Sequence, residues 1–185
     1  MSGRDMIGAV LSCYGSRTNV LIYDNVNDTI DELTLMKTPE GKHTWVVTNK
    51  GITIKSEGKF FAPGNTKSIA TNKGYKDAVT YWAKNGYHLR YSGGMAPDCY
   101  HIFTMREGIF SSVSSGTVVA PKLRVLYECL PIAFLIEKAG GLASDGYKPL
   151  LDLKITSFSQ KCDIIIGSRE EVKRVDRFLS QYVGK

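Results

Sequence analysis

The sequence has no Cys-x-x-Cys pair, no closely spaced histidines, no long apolar run and no basic tract, and each absence narrows the function. The four cysteines, Cys13, Cys99, Cys129 and Cys162, are dispersed. Without short-spaced thiols or histidine pairs a zinc site is not expected; reduced, mostly buried thiols are. The longest apolar stretches, 132–136 and 164–166, fall far short of the ~20 residues of a membrane-spanning helix. Met1 is followed by Ser2-Gly3-Arg4-Asp5 and a helical pattern, so no secretory signal is read at this start. The formal net charge is +6, but the lysines and arginines are scattered. Scattered cations argue against nucleic acid and suit an anionic small molecule. There is no internal repeat, low-complexity tract or linker, and 185 residues suffice for one packed domain over 1–185.

The pattern of apolar residues supplies the elements. Ser2 and Asp5 have capping-box spacing, which predicts a helix over 6–14 stopped by Gly15. β-Branched and aliphatic runs predict strands over 18–23, 33–35, 44–48 and 52–54, with a turn at Pro39-Glu40-Gly41. A helix over 75–85 ends at Gly86, an extended path follows over 88–91, and Gly93-Gly94 leads to a helix beginning around Pro97-Asp98. A strand over 108–113 and a loop over 114–121 come next. Ile132, Ala133, Leu135, Ile136 and Ala139 have the spacing of a helix buried on one side. A core strand over 163–166 precedes a last helix with a capping box at Ser168-Arg169-Glu170-Glu171 and an apolar stripe of Val172, Val175, Leu179 and Val183. Alternating strands and helices with short connections predict an α/β fold, three-layer α/β/α around a mixed sheet.

The densest chemistry lies at 122–131, Lys-Leu-Arg-Val-Leu-Tyr-Glu-Cys-Leu-Pro. In an extended segment alternate residues share a face, so Lys122, Arg124 and Glu128 point the same way while Leu123, Val125 and Tyr127 face a core. Two readings stand for each charge. Glu128 before a helix is either a dipole partner or a ligand for a hard divalent cation. Lys122 and Arg124 are either solvated or a point charge and a fork for phosphate. A helix N-terminus directly downstream attracts anions and favours the second reading.

The string from Lys122 to Gly141 closely resembles the metal- and substrate-binding segment of the fructose-1,6-bisphosphatase and sedoheptulose-1,7-bisphosphatase family, and distantly the inositol monophosphatases. The likeness runs through the chain: 2–15 is similar to the family's central helix, 89–98 to its sugar-phosphate segment, and 162–172 to its last strand and helix. The segment Leu89-Arg90-Tyr91-Ser92-Gly93-Gly94-Met95, the stretch Phe61-Ala62-Pro63-Gly64-Asn65, and Ser112 in place of a tyrosine all resemble the sedoheptulose branch. The resemblance implies that Glu128 ligates Mg2+, with Mn2+ as the alternative, and that Arg124 holds the phosphate being cleaved. It implies that Lys122 meets the sugar and distal phosphate, and that Asn65 binds the distal phosphate. Tyr91 and Met95 would line the pocket, though plain core packing is the competing reading for both. Arg90 would reach across a subunit interface.

The family's Asp-Pro-x-Asp-Gly-Ser/Thr metal motif is missing, and Asp145-Gly146 lacks the paired upstream Asp and reads as a turn. The resemblance therefore implies the C-terminal, sugar-binding half of a Mg2+-dependent phosphoric monoester hydrolase, without the N-terminal metal-binding domain. Its substrate would be sedoheptulose 1,7-bisphosphate, cleaved at the 1-phosphate, in a homodimer or homotetramer of the cytoplasm or plastid stroma. A fructose-1,6-bisphosphatase and a non-catalytic phosphosugar-binding module are the alternatives.

Overall fold

Alternation of side chains into and out of a core, not helical periodicity, governs the first fifty residues. In the computed structural model, which describes residues 1–116 and 118–182, strands β1 (Val10–Tyr14), β2 (Thr18–Asp24), β3 (Thr29–Lys37) and β4 (His43–Asn49) form an antiparallel sheet in that order. The helix expected over 6–14 does not form. Leu11 is buried beside an exposed Val10, a period of two, and pairs with the buried Leu21 across the hairpin turned by Gly15-Ser16-Arg17. The resemblance of 2–15 to a central helix fails with it. The capping box at Ser2 does form, but it closes only the 3-10 turn Gly3–Asp5, with the Ser2 N–H donating to Asp5 Oδ2 at 2.7 Å. Residues 52–54 do not make a strand either. Single backbone bonds, from Ile52 N–H to Ile30 O at 2.8 Å and from Ile54 N–H to Ala139 O at 2.7 Å, plug two buried isoleucines into the core.

The second half builds a mixed sheet. Its strands are β5 (Phe60–Gly64), β6 (His88–Leu89), β7 (Ile109–Ser112), β9 (Leu142–Ser144) and β11 (Ile164–Gly167); a separate two-residue ribbon pairs β8 (Leu123–Arg124) with β10 (Lys161–Cys162). The large sheet runs β6-β5-β7-β11-β9, with β5 parallel to β6 and β7, and β11 antiparallel to both its neighbours. Helices α1 (Lys73–Lys84) and α4 (Arg169–Ser180) pack Tyr75, Trp82, Val172 and Val175 onto Phe61, Ile109 and Ile165. Gly74 lets these two helices touch, because a Cβ there would sit 2.7 Å from Phe178 O. Helices α2 (Met95–Met105) and α3 (Leu130–Lys138) cover the other face through Cys99, Phe103 and Ile136 against Ala62, Phe110 and Ile164. These are the three layers the sequence implied.

The β1–β4 sheet then covers the outer side of α2 and α3, adding Leu11, Leu21 and Ile30 to the same core. Helix α3 is consequently buried from Ile132 through Ile136 rather than on one side. Two further expectations change. Helix α2 starts two residues early, with Gly94 as N-cap and Pro97 third. Ser168 makes no side-chain cap for α4; its hydroxyl accepts from the Gly108 N–H at 3.1 Å, and Glu171 turns into the core. Val183 lies outside the described residues. Among the described residues no helix is long and apolar enough to cross a membrane. Cys99 and Cys129 are buried, Cys13 and Cys162 half-buried, and all four thiols are free.

Candidate active site

The topology gathers the candidate residues at one edge. Because β6, β5 and β7 are parallel, with Phe61 opposite Leu89 and Gly64 opposite Ser112, their carboxyl ends share a side of the sheet. Antiparallel β11 begins there, Ile164 opposite Ser112, and β10 just before it pairs Lys161 with Arg124 and Cys162 with Leu123. Asn65, Arg90, Tyr91 and Arg124 therefore sit on elements that end or begin at this edge, the place where open α/β sheets hold ligands.

The segment 122–128 is not extended throughout. The strand ends at Arg124, and Val125–Cys129 form a π-helical turn ahead of α3. Pro131 has no N–H for the Tyr127 carbonyl and its ring crowds that oxygen. The ladder widens by one residue, and the Leu130 N–H bonds Val125 O instead. Strand alternation thus fails to put Glu128 beside Arg124, but the helical turn succeeds. Glu128 Oε2 accepts the Arg124 backbone N–H at 2.7 Å and lies 3.6 Å from its guanidinium Nη1. Both side chains stay solvent-accessible, at 45% for Arg124 and 29% for Glu128. Tyr127, expected in the core, is exposed and stacks on Phe158 with centroids 5.0 Å apart. Cys129 is anchored by the thiol of Cys162; that contact, then burial, pushes its pKa up, which keeps it a thiol.

The remaining candidates differ in kind. Lys122 is exposed immediately before β8. Arg90 is exposed, donates through Nη1 to Leu89 O at 3.1 Å and lies over the Phe60 ring at 5.6 Å. Burial first, and the Arg90 cation second, pull the His101 pKa down. Tyr91 is 45% exposed, so core packing does not explain it. Met95 is the contrary case, half-buried and packed on the core at the start of α2. Asn65 is buried with φ 51°, and its amide donates to Val113 O at 3.0 Å, tying the carboxyl end of β5 to that of β7. Its Oδ1 is buried without a partner among the described residues.

Two residues were missed from sequence. Asp98, expected only at the start of a helix and at the end of the 89–98 segment, accepts the Ser92 N–H at 2.7 Å and latches the loop that carries Arg90 and Tyr91. Asp163, inside the expected core strand, accepts from the Ser114 N–H at 2.9 Å and the Ser114 hydroxyl at 2.8 Å, holding the loop after β7; burial raises its pKa. Neither carried a signal in the sequence, because the loop donors that fix them are brought close only by the fold.

For a metal ion the residues fit poorly. No three His, Cys, Asp or Glu side chains among the described residues gather as a metal site, whereas a hard divalent ion takes six or more oxygens. Glu128 offers one carboxylate, already engaged by Arg124. The arrangement can bind and orient a phosphate ester, with Arg124 as a fork held by its own ion pair.

Residues 54–180 match the family model described as fructose-1-6-bisphosphatase, C-terminal domain. The chain is 39% identical over 180 residues to a chloroplastic sedoheptulose-1,7-bisphosphatase of Spinacia oleracea, covering 97% of this chain and 45% of that relative. It is 35% identical over 178 residues to a class 1 fructose-1,6-bisphosphatase of Citrifermentans bemidjiense, covering 96% and 52%. The crystal structure of Leishmania major fructose-1,6-bisphosphatase in its T-state superposes with a TM-score of 0.86 at 29% identity, covering 98% of this chain and 56% of that one. The chain thus spans about half the length of the curated relatives it matches.

Proposed function

The chain belongs to the fructose-1,6-bisphosphatase C-terminal domain family, and from that premise we propose that it is the phosphosugar-binding half of a sugar bisphosphatase acting on the 1-phosphate of sedoheptulose 1,7-bisphosphate. The observation that supports this reading is the Arg124–Glu128 pair, held by the π-turn after a strand that pairs with the segment leading into β11. Arg124 takes two oxygens of the phosphate to be cleaved, and Glu128 aims it. Lys122 supplies a point charge to the sugar and distal phosphate. Asn65, by bracing β5 on β7, fixes the floor under the distal phosphate, with Tyr91 as a wall. Mg2+ or Mn2+ at Glu128 would supply charge neutralisation at the phosphate. One carboxylate does not hold such an ion, so this chain's own work is binding and orientation.

The sedoheptulose reading draws on Ser112, which stands where the fructose branch, by resemblance, has a tyrosine, and on the chloroplastic relatives. Fructose 1,6-bisphosphate is the competitor, supported by the class 1 relatives at comparable identity. A homo-oligomer in the cytoplasm or plastid stroma completes the proposal. Calorimetry of residues 1–185 with each bisphosphate tests it. Tighter binding of the seven-carbon sugar, with negligible phosphate release, is expected. Tighter binding of the fructose ester would reassign the substrate, and a normal enzymatic turnover by this chain alone would refute the half-site reading. Binding of neither ester sinks the proposal. A complete protein that binds the ester yet shows no turnover with Mg2+ or Mn2+ supplied would favour the non-catalytic module.

A further inference from the structure

Beside the loop that carries Arg90 and Tyr91, strand β5 and helix α2 leave a small cavity of ≈ 10 Å³, lined by Phe60, Ala62, Arg90, Asp98, His101 and Glu107. That is room for about one water and nothing larger. Two buried side-chain atoms of these residues, Asp98 Oδ2 and His101 Nε2, have no hydrogen-bond partner among the described residues. Asp98 is 5% exposed, and a charged oxygen left bare at that depth is costly. Asp98 and His101 stand three residues apart on α2, so they share a face of that helix. The other charged groups at the cavity are already engaged. Glu107 is paired with Lys55 at 3.1 Å, and Arg90 lies over the Phe60 ring, which His101 meets edge-on with centroids 5.8 Å apart.

The second oxygen of Asp98 matters because the first one holds the loop. Asp98 Oδ1 accepts the Ser92 N–H at 2.7 Å, and among the described residues no other hydrogen bond ties 91–93 to anything beyond Gly94. Gly93, at φ 87°, sits in the left-handed region that glycine enters freely, so the backbone by itself does little to hold Ser92 in place. The latch is then only as firm as the carboxylate, which turns about its own side-chain bonds unless both oxygens are held. No hydrogen bond joins Asp98 to His101 directly. A water donates to Asp98 Oδ2 and meets Nε2 as donor or as acceptor, so it suits either neutral tautomer of the ring. Burial and the Arg90 cation both disfavour the imidazolium and keep that ring neutral.

We infer that Asp98 and His101, joined through one water in this cavity, are positioning residues that hold the Tyr91 loop in its ligand-receiving shape. His101 touches no ligand; it acts through the water on Asp98, and Asp98 acts on Ser92. The inference rests on the phosphosugar reading only for the part of Tyr91 as a pocket wall. The latch itself is read without any ligand, from exchange of the Ser92 amide hydrogen, so failure of the one and failure of the other are distinguishable.

Amide hydrogen exchange followed by NMR, with calorimetry against sedoheptulose 1,7-bisphosphate, tests it. His101→Phe keeps a ring against Phe60 and removes Nε2. It is expected to speed exchange at Ser92 by roughly tenfold, as loss of one hydrogen bond does, and to weaken bisphosphate binding several-fold. Exchange at Phe103, buried further along α2, is expected to stay at its wild-type rate. His101→Gln, which returns a polar group to the water, is expected to restore both readouts. Asp98→Ala removes the latch itself and sets the ceiling: adding His101→Phe to it changes neither readout further, because His101 reaches the loop only through Asp98. An unchanged Ser92 rate in His101→Phe, a loss that His101→Gln does not restore, or losses that add in the double variant would overturn the inference. If His101→Phe speeds exchange at Phe103 as much as at Ser92, the residue merely supports the fold and the inference falls as well. A wild type that protects Ser92 yet binds neither bisphosphate sinks the phosphatase reading and leaves the latch standing.

Discussion

Helices α3 and α4 are each entered beside a glutamate, and the two acids have opposite fates. Glu171, in the first turn of α4, is 1% exposed and fully spent inside the protein. Its carboxylate takes the Tyr87 hydroxyl at 2.9 Å, the Trp82 indole N–H at 3.4 Å and Arg174 Nε at 3.3 Å. Glu128, in the turn before α3, meets only Arg124 among the described residues and keeps 29% of its side chain in solvent. One acid cross-links the layer of α1 and α4; the other aims a cation at an open edge. Both are glutamates beside the start of a helix, so the number of donors around the carboxylate, not the residue type, decides which acid is structural.

The contrast breaks most visibly through stability. Glu171→Ala leaves a buried indole N–H, a half-buried phenol and Arg174 without their acceptor, and is expected to cost about 3 kcal/mol, a fall in melting temperature on the order of 10 °C. Thermal unfolding measures it, and a change below about 2 °C would mean that Glu171 holds nothing. Arg124→Ala is expected to weaken bisphosphate binding by roughly ten- to a hundredfold, as a lost charged hydrogen-bond donor does, with melting unchanged; calorimetry separates the two. Glu128→Gln keeps an acceptor for the Arg124 N–H and loses a half-exposed ion pair worth ~0–1 kcal/mol. It is expected to leave melting within about 2 °C while lowering affinity several-fold; collapse of the fold instead would make Glu128 a second Glu171.

The smallest effect sharpens the same comparison through pH. Burial pushes the Asp176 carboxyl up from 3.8 to about 6, partly offset by the Ser144 hydroxyl. A raised carboxyl pKa means that the folded protein holds this proton more tightly than the unfolded chain. Its contribution is complete below about pH 4 and is lost as pH rises through about 6. Asp176→Asn should therefore gain a modest melting advantage over wild type at pH 7 that shrinks to nothing near pH 4. A pH-independent difference would show that the carboxyl titrates normally.

Much of this was written in local pattern. The spacing of Arg124 and Glu128, the glycine-flanked helix α3 and the stripe on α4 are short-range features, and the structure keeps them. The failures are equally local in origin. The segment 6–14 contains enough aliphatic residues to satisfy a helical stripe, and only pairing with 18–22, available once the chain reverses at Gly15, selects the strand. At 122–128 the alternation was real in sequence, yet a proline three residues after Glu128 removed one N–H and converted the strand's end into a π-turn. Asp98 and Asp163 escaped notice because their partners, Ser92 and Ser114, are backbone donors in loops, which no side-chain pattern announces.

By itself the sequence determined the class of fold and the residues able to grip a phosphate, because periodicity and charge spacing are properties of neighbours in the chain. Tertiary structure decided which of those residues share an edge and which glutamate is sealed in the core. Those outcomes depend on strand order and layer contacts between segments far apart in the chain, such as Arg4 and Asp152, and no local pattern encodes them.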